Sequence, residues 1–380
     1  MNKSTTFYED LQNNPKIDGR DNRGKNLNMP LTILKFSIAL LSNRDGNLSS
    51  IHRHMVAHNE EVAGFLNLNI SAEKLVSRSH LPLLLCKIKG DIFSKTVFKY
   101  FEIELSETEV SWFAGDGKEL KGSIELGKKR GEAIVQLVRH EDRAVVGETF
   151  YNGSKDSEVP AIKDLLETTN VDKQKTSLDA LHLKPNTLEG INGNGGKYLV
   201  GLKRNQKELY TDMDISSKCF EYKHNRSEEE KGHGRLEERY YESFDISDGY
   251  FDKRWENVDF QTLIKVYRKR KVVKTGVETE ELSYYMSNIS TKSVQSSEEL
   301  FTAVRNHWQI EVNNNTRDTV LQEDKLRTSD TFLAKAVARI RTLTVKLLSF
   351  SKLENKKAQL DFFADNFQEC LLWLRSIKFL

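Results

Sequence analysis

The period of the hydrophobic pattern changes twice along this chain, and this limits the folds that the chain can adopt. Before about residue 110, apolar residues recur at helical spacing, as in Met29–Leu41 and Ile51–Leu66. Between about 110 and 290, short apolar or alternating runs are separated by turn residues, which is typical of strands. Helical spacing returns after Ser296. The sequence therefore predicts a mixed α/β protein that begins and ends with helices.

Two kinds of strand are expected in the middle of the chain. The first kind is short, and helices are expected between these strands: Val110–Gly117, Glu132–His140, Ala144–Tyr151 and Lys197–Leu202, with helices at Val159–Thr168 and Pro185–Asn192. The second kind is longer and partly alternating, and it occupies a block from about 204 to 290: Arg235–Ile246, Gln261–Val273 and Glu280–Ile289. This β-rich block is long enough to be an inserted unit.

Length and composition exclude several classes of protein. With 380 residues, the chain exceeds what one hydrophobic core usually serves, so two or three domains are expected. The longest apolar stretch, Leu81–Ile88, is too short to cross a bilayer, and the first residues lack the apolar centre of a signal peptide. The three cysteines are far apart, which excludes a disulfide framework and a paired-cysteine metal site. These features predict a cytoplasmic protein without a membrane partner.

Three carboxylates stand where an α/β protein commonly holds its ligands. Asp116 ends the first short strand between two glycines, Asp179 ends a second apolar run, and Glu311 lies on the predicted helix Glu298–Val312. If they converge, they form an all-oxygen site suited to Mg²⁺ or Mn²⁺. Taken alone, each of these acids is more often a solvated surface group, because such short motifs are loose. The long interval between Asp179 and Glu311 requires an inserted domain, which the β-rich block could supply.

Five segments, in this order, carry a resemblance to a known family: Trp112–Ser123 (WFAGDGKELKGS), Ser177–Ile191 (SLDALHLKPNTLEGI), Gly195–Leu209 (GGKYLVGLKRNQKEL), Lys231–Tyr241 (KGHGRLEERYY) and Arg305–Arg327 (RNHWQIEVNNNTRDTVLQEDKLR). They resemble the motifs of DDE transposases of bacterial insertion sequences. The likeness is greatest to the ISAs-one family, which includes the H-repeat-associated proteins, within the IS-four-like group. Each segment is modest alone, but five in family order are specific. The resemblance covers residues 7–350 approximately.

The resemblance implies a fold and a division into domains. It implies an RNase H-like catalytic core with an inserted β-rich domain, preceded by an all-helical N-terminal region. The expected boundaries are a helical region that recognises or positions DNA ends at 1–105, a split core at 106–203 and 296–350, the insertion at 204–295, and a helical C-terminal tail at 351–380.

The resemblance also implies a reaction. Asp116, Asp179 and Glu311 match the family's catalytic triad, which would hold two Mg²⁺ ions, with Mn²⁺ able to substitute. The implied activity is metal-dependent cleavage at terminal inverted repeats and strand transfer into target DNA. DNA is the implied partner, two or more protomers would join both ends, and the protein would be nucleoid-associated when bound to DNA.

The segment after the predicted glutamate departs from the family pattern. Many members have Glu-Asn where this chain has Glu311-Val312, and an expected His-Trp pair is replaced by Asn315-Thr316. These departures leave open a domesticated or decayed transposase that binds DNA without strand transfer. A nuclease of the same fold is a third alternative, because fold alone does not determine function.

A further set of polar residues is predicted to contact DNA. These residues are basic, or they lie in the family's motifs: Lys118, Lys203, Asn205, His233, Arg235, Arg268, Lys269, Arg270 and His307. Simpler interpretations exist for several of them, since Asn205 could position the loop of Asp179 and His307 could be a surface residue. Trp308 is expected to pack in the core with Leu300. The net charge of +2 is compatible with DNA binding, because basic stretches such as the acid-free run Gln261–Lys274 are hidden in the total.

Overall fold

The protein is described from a computed structural model, which covers residues 5–21, 23, 25–69, 74–103, 105, 110–232 and 234–380. The helices before the first strand are α1 (Phe7–Gln12), α2 (Met29–Ser42), α3 (Leu48–Ala57), α4 (Asn59–Phe65), α5 (His80–Leu85) and α6 (Gly90–Tyr100). Among the strands lie α7 (Lys155–Thr169), α8 (Pro185–Gly193) and α9 (Lys207–Cys219). The last helices are α10 (Val294–Asn306), α11 (Gln309–Asn315), α12 (Thr331–Ser349), α13 (Lys356–Asp365) and α14 (Phe367–Ser376).

In the described part of the chain, nine strands form one mixed sheet. They are β1 (Trp112–Glu119), β2 (Ala133–Arg139), β3 (Val145–Tyr151), β4 (Lys175–Leu178), β5 (Lys197–Leu202), β6 (His224–Gly232), β7 (Arg235–Asp245), β8 (Thr262–Val272) and β9 (Glu278–Ser287). Their order across the sheet is β3-β2-β1-β4-β5-β9-β8-β7-β6. The neighbours β1, β4 and β5 run parallel, and the other neighbouring pairs are antiparallel. The prediction of a mixed α/β protein is confirmed.

The β-rich block continues the sheet. Strand β9 pairs with β5, with Leu199 opposite Ser287 and Leu202 opposite Tyr284, so β6–β9 extend the strands that precede them. The block also contains α9, which the sequence did not predict. Strand β6 was missed as well, because its sequence HNRSEEEKG has no apolar run and most of its side chains are exposed at the edge of the sheet.

The two ends of the chain pack into one helical layer. Asn28 caps α2 by accepting the Leu31 N–H at 3.0 Å, and every residue of α2 except Pro30 is buried. In the same layer, the ring of Phe7 in α1 stacks on that of Phe379, with 5.4 Å between centroids. The last helices therefore complete the core around α2. Within the described ranges, no helix is both long enough and apolar enough to cross a membrane.

The helix that was predicted to carry Glu311 is broken in two. Helix α10 ends at Asn306 and α11 begins at Gln309, so Glu311 does not continue the apolar stripe of α10. Leu300 is buried as expected. Trp308 lies at the break, and 52% of its surface is exposed. The prediction that Trp308 packs in the core was wrong, because it assumed an uninterrupted helix.

Candidate active site

The topology of the sheet brings the two predicted aspartates side by side. Strands β1 and β4 are parallel neighbours, and Gly115 is paired with Leu178. Asp116 and Asp179 are the next residues in each strand segment, so they lie together where β4 ends. Asp116 does not end its own strand, contrary to the prediction. Strand β1 continues to Glu119 because β2 remains paired with it beyond the end of β4.

Glu311 belongs to a helix that packs directly on the strand of Asp116. On α11, Ile310 is buried against Ala114 of β1. One turn later, Asn314 Nδ2 donates a hydrogen bond to Asp116 Oδ2 at 3.3 Å. Glu311 itself is exposed. Asn314 was not predicted as a site residue, since nothing in its local sequence indicates that it contacts a residue of β1.

The electrostatic environment of Asp116 shows how closely acidic groups are gathered. Burial raises the pKa of Asp116 to about 7, and the charges of Asp179, Glu158 and Glu311 act in the same direction. The backbone N–H of Gly117 opposes them. Because these carboxylates repel one another, a bound cation would relieve the repulsion.

The donor set fits a hard divalent cation in its chemistry, since every candidate ligand is a carboxylate oxygen. The carboxylates are not arranged as a finished site. Within the described ranges, no three His, Cys, Asp or Glu side chains are placed so that they could hold a metal ion.

The loop that follows Asp179 is held in place by hydrogen bonds. Asp179 Oδ1 accepts the Leu181 N–H at 2.9 Å, which fixes the turn at the end of β4. Asn205 Nδ2 donates to the Ala180 carbonyl at 2.9 Å, and Gln206 Nε2 donates to the Leu183 carbonyl at 3.0 Å. Of the two roles considered for Asn205, these contacts support positioning of the Asp179 loop.

A buried chain of hydrogen bonds connects the strand of Asp179 to the helix break before Glu311. Ser177 Oγ lies 2.9 Å from His140 Nε2 and 2.9 Å from His307 Nδ1, and it hydrogen-bonds to both. Burial lowers the pKa of His140 to about 3 and that of His307 to about 4, so both rings are neutral at pH 7. The hydrogen bond between its Nδ1 atom and Ser177 shows that the ring of His307 faces Ser177. His140 was not predicted as a site residue, because nothing in its local sequence indicates the contact with Ser177.

Ser177→Ala is expected to lower the free energy of unfolding by about 1–3 kcal/mol, because it removes the partner of two imidazole nitrogens in a buried position. Urea unfolding followed by circular dichroism measures the change. Ser349→Ala is the matched control, since the Ser349 hydroxyl is exposed and donates to the Lys346 carbonyl within its own helix. A Ser177→Ala midpoint equal to that of the control would contradict the prediction.

Lys118 is an internal residue and does not face solvent as a DNA contact would. Only 8% of its surface is exposed, and its ammonium group lies 2.6 Å from Asp318 Oδ1 and 3.4 Å from Glu323 Oε2. The local sequence did not reveal these partners because they lie far along the chain. Through these two ion pairs, Lys118 connects β1 with the segment that follows α11.

The acid-free run of β8 is not an unbalanced positive patch in the fold. Its cations form ion pairs with glutamates of the neighbouring strands β7 and β9: Lys265 with Glu242, Arg268 with Glu281, Lys269 and Lys271 with Glu278, and Arg270 with Glu237. The run taken alone has a higher net charge than the paired strands have together, because the glutamates of β7 and β9 lie elsewhere in the sequence. Contact between DNA and Arg268, Lys269 or Arg270 stays a prediction.

Three predicted DNA contacts remain to be placed: Lys203, Arg235 and His233. Lys203 is exposed, and its positive charge opposes the rise in the pKa of Glu311 that partial desolvation of this carboxyl causes. Arg235 is exposed at the start of β7, where it is paired with Gly232 of β6. His233 lies outside the described residues.

Comparison with known proteins shows that this mixed sheet, with carboxylates gathered beside its parallel strands, belongs to a transposase-type domain. The family model described as the transposase DDE domain matches residues 137–344, a little more than half of the chain. The chain therefore belongs to the DDE transposase family. The matched residues include Asp179 and Glu311 and begin after Asp116.

Individual relatives indicate the subgroup. The chain is 26% identical over 253 residues to "H repeat-associated putative transposase YhhI" of Escherichia coli (strain K12), an alignment that covers 63% of this chain and 64% of the relative. It is 25% identical over 253 residues to "Putative transposase YncI" of Escherichia coli O157:H7, covering 64% and 63%. The alignments thus span just under two thirds of these relatives. They support a DDE transposase of the H-repeat-associated type.

Proposed function

We propose that this chain is an active insertion-sequence transposase, which cleaves DNA at the terminal inverted repeats of its element and joins the ends to target DNA. One observation supports the proposal above the others. Asp116 and Asp179 lie at adjacent positions beside parallel strands, and the helix of Glu311 is hydrogen-bonded to Asp116 through Asn314. This arrangement occurs in a chain of the DDE transposase family.

In this proposal Asp116, Asp179 and Glu311 hold Mg²⁺, with Mn²⁺ able to substitute and with two ions as the expected number. When bound, the cations supply activation of the attacking hydroxyl and stabilisation of the leaving oxygen. The chain's own residues position the ligands: Asn314 orients Asp116, and Asn205 holds the Asp179 loop.

DNA would approach the same face of the site. Lys203 is exposed near Glu311, where its ammonium group could contact a phosphate. Arg268 also lies near enough to oppose the raised pKa of Glu311, although it is paired with Glu281. A phosphate could take the place of Glu281 as the partner of Arg268, so the cations of β8 remain proposed DNA contacts.

The proposed division of labour follows the predicted boundaries. Residues 106–203 and 296–350 would form an RNase H-like core, and 204–295 would be an insertion that continues its sheet. The helical region 1–105, with the tail 351–380 packed on it, would recognise or position the DNA ends. Two or more protomers would be needed to join both ends, and the active protein would be associated with the nucleoid.

The test is a cleavage assay on linear DNA that carries the inverted repeats flanking the gene. With Mg²⁺ present, we expect nicked or cut ends and products joined to a second DNA, and with EDTA we expect neither. Cut ends that never join would contradict strand transfer and support the nuclease alternative. Specific binding without any cutting would overturn the proposal in favour of a decayed transposase, which Val312 and Asn315-Thr316 make the second candidate.

A further inference from the structure

Among the residues that the structure describes, a buried histidine beside the acidic site has no hydrogen-bond partner of good geometry for either ring nitrogen. His182 is completely buried, and its Nε2 lies 3.4 Å from Glu158 Oε1 and 3.7 Å from Asp179 Oδ1. Buried polar groups are normally hydrogen-bonded, so an unpartnered imidazole between two carboxylates requires an explanation. One of these carboxylates belongs to the predicted triad, and the other has no assigned role.

Glu158 is held on its other side by a tyrosine. The Tyr151 hydroxyl donates a hydrogen bond to Glu158 Oε2 at 2.8 Å. Tyr151 is the last residue of β3, and Glu158 lies in the first turn of α7 with only 13% of its side chain exposed. Both oxygens of Glu158 are therefore directed, one toward Tyr151 and one toward His182. A surface glutamate would have neither constraint.

The glycine next to Asp116 provides the space for this arrangement. A Cβ atom on Gly117 would lie 2.5 Å from the Tyr151 hydroxyl and 2.7 Å from Glu158 Cδ. Any side chain at this position would push Tyr151 and Glu158 away from β1. The negative charge of Glu158 also contributes to the raised pKa of Asp116, with an effect larger than that of Glu311. Glu158 therefore adjoins both aspartates.

We propose that Glu158 is a positioning residue of the cation site: fixed by Tyr151, it orients His182, which in turn orients Asp179. This inference rests on the proposed function, since the orientation of Asp179 matters only if the aspartates bind a cation. A movement of about half an ångström would bring His182 Nε2 within hydrogen-bonding distance of Glu158. The contact with Glu158 would then keep the imidazole beside Asp179 Oδ1.

The experiment measures Mn²⁺ affinity of the purified, DNA-free chain by isothermal titration calorimetry. Glu158→Gln keeps the shape of the side chain and its acceptance from Tyr151 but removes the charge that faces His182. We expect Mn²⁺ affinity to fall about 10–100-fold, the usual effect of removing a group that orients a metal ligand. Tyr151→Phe removes only a hydroxyl, and we expect a smaller loss in the same direction.

The matched control is Glu167→Gln on the same helix. Glu167 is half-exposed and lies 3.9 Å from Lys163, away from the tyrosine and the histidine. Its variant should bind Mn²⁺ as the parent does. A purely structural role for Glu158 would lower the urea midpoint while the folded protein kept its Mn²⁺ affinity, and that result would overturn the proposal.

Asp116→Asn separates this inference from the proposed function. If Asp116→Asn weakens Mn²⁺ binding while Glu158→Gln and Tyr151→Phe bind like the parent, the positioning role is wrong and the cation site stands. If Asp116→Asn itself binds Mn²⁺ like the parent, the proposed cation site fails. If Glu158→Gln does not fold, Tyr151→Phe decides the matter by the same criterion.

Discussion

Asp116→Asn should slow Mg²⁺-dependent strand cleavage by about 10³-fold or more. The substitution keeps the size of the side chain, and the amide oxygen can still accept the hydrogen bond from Asn314 Nδ2. It removes the carboxylate toward which the charges of Asp179, Glu158 and Glu311 are directed. Loss of about 4 kcal/mol of transition-state stabilisation, a typical contribution of a catalytic metal ion, corresponds to that factor. Single-turnover cleavage of DNA carrying the element's ends measures it.

A matched substitution separates this effect from a general loss of negative charge. Asp248 is exposed on the loop between β7 and β8, and Asp248→Asn should cut at the parent rate. Asp116→Asn should also keep its affinity for the DNA ends in the absence of divalent cations, because the change removes a negative charge near the DNA. Cleavage by Asp116→Asn at the parent rate would remove Asp116 from the active site.

The strands that were predicted correctly share a local signal. Strands β1, β2, β3 and β5 are short apolar runs that end at turn residues, and β7, β8 and β9 are longer, partly alternating runs, so the local sequence indicates both kinds of strand. Strand β6 and helix α9 carry no such signal. In β6 the residues are polar because the strand lies at the sheet edge, and it exists because β7 supplies its hydrogen bonds. The pairing of β6 with β7 depends on the position of β7 in the sheet, which the sequence of β6 does not indicate.

The site, too, has features that the local sequence indicates and features that depend on distant residues. The proximity of Asp116 and Asp179 follows from two parallel strands of similar register, which the sequence could suggest. The roles of Ser177, His182 and Asn314 depend on which distant side chains face them, and no spacing rule gives that information. Lys118 was predicted to contact DNA because it is basic and lies beside the site. In the fold it is buried, and its partners belong to the segment after α11.

That segment carries a buried ion pair on which a large part of the stability should depend. Arg317 and Glu323 have 1% and 2% of their side chains exposed and form two parallel hydrogen bonds, at 2.7 and 2.9 Å. Arg317 also donates to the Thr342 hydroxyl and the Ala338 carbonyl of α12. Since Lys118 shares Glu323, this network joins β1 to α12 just beside the acidic site.

Glu323→Gln should lower the free energy of unfolding at pH 7 by about 3–5 kcal/mol, because it leaves the buried guanidinium of Arg317 without its anion, whereas Lys118 keeps Asp318. Burial acts to raise the pKa of Glu323, but the charge and hydrogen bonds of Arg317 outweigh it and lower that pKa to about 2. A lowered pKa in the folded state means that the contribution is complete above about pH 4.5 and is lost as the pH falls toward 2.

Urea unfolding at a series of pH values tests both parts of this prediction. The difference between parent and Glu323→Gln should be largest near pH 7 and should shrink steadily below pH 4.5. The double variant Arg317→Met, Glu323→Leu removes both charges and should recover much of the lost stability, as an apolar replacement of a buried pair often does. If Glu323→Gln and the parent unfold at the same urea concentration at pH 7, the pair does not stabilise the junction between β1 and α12.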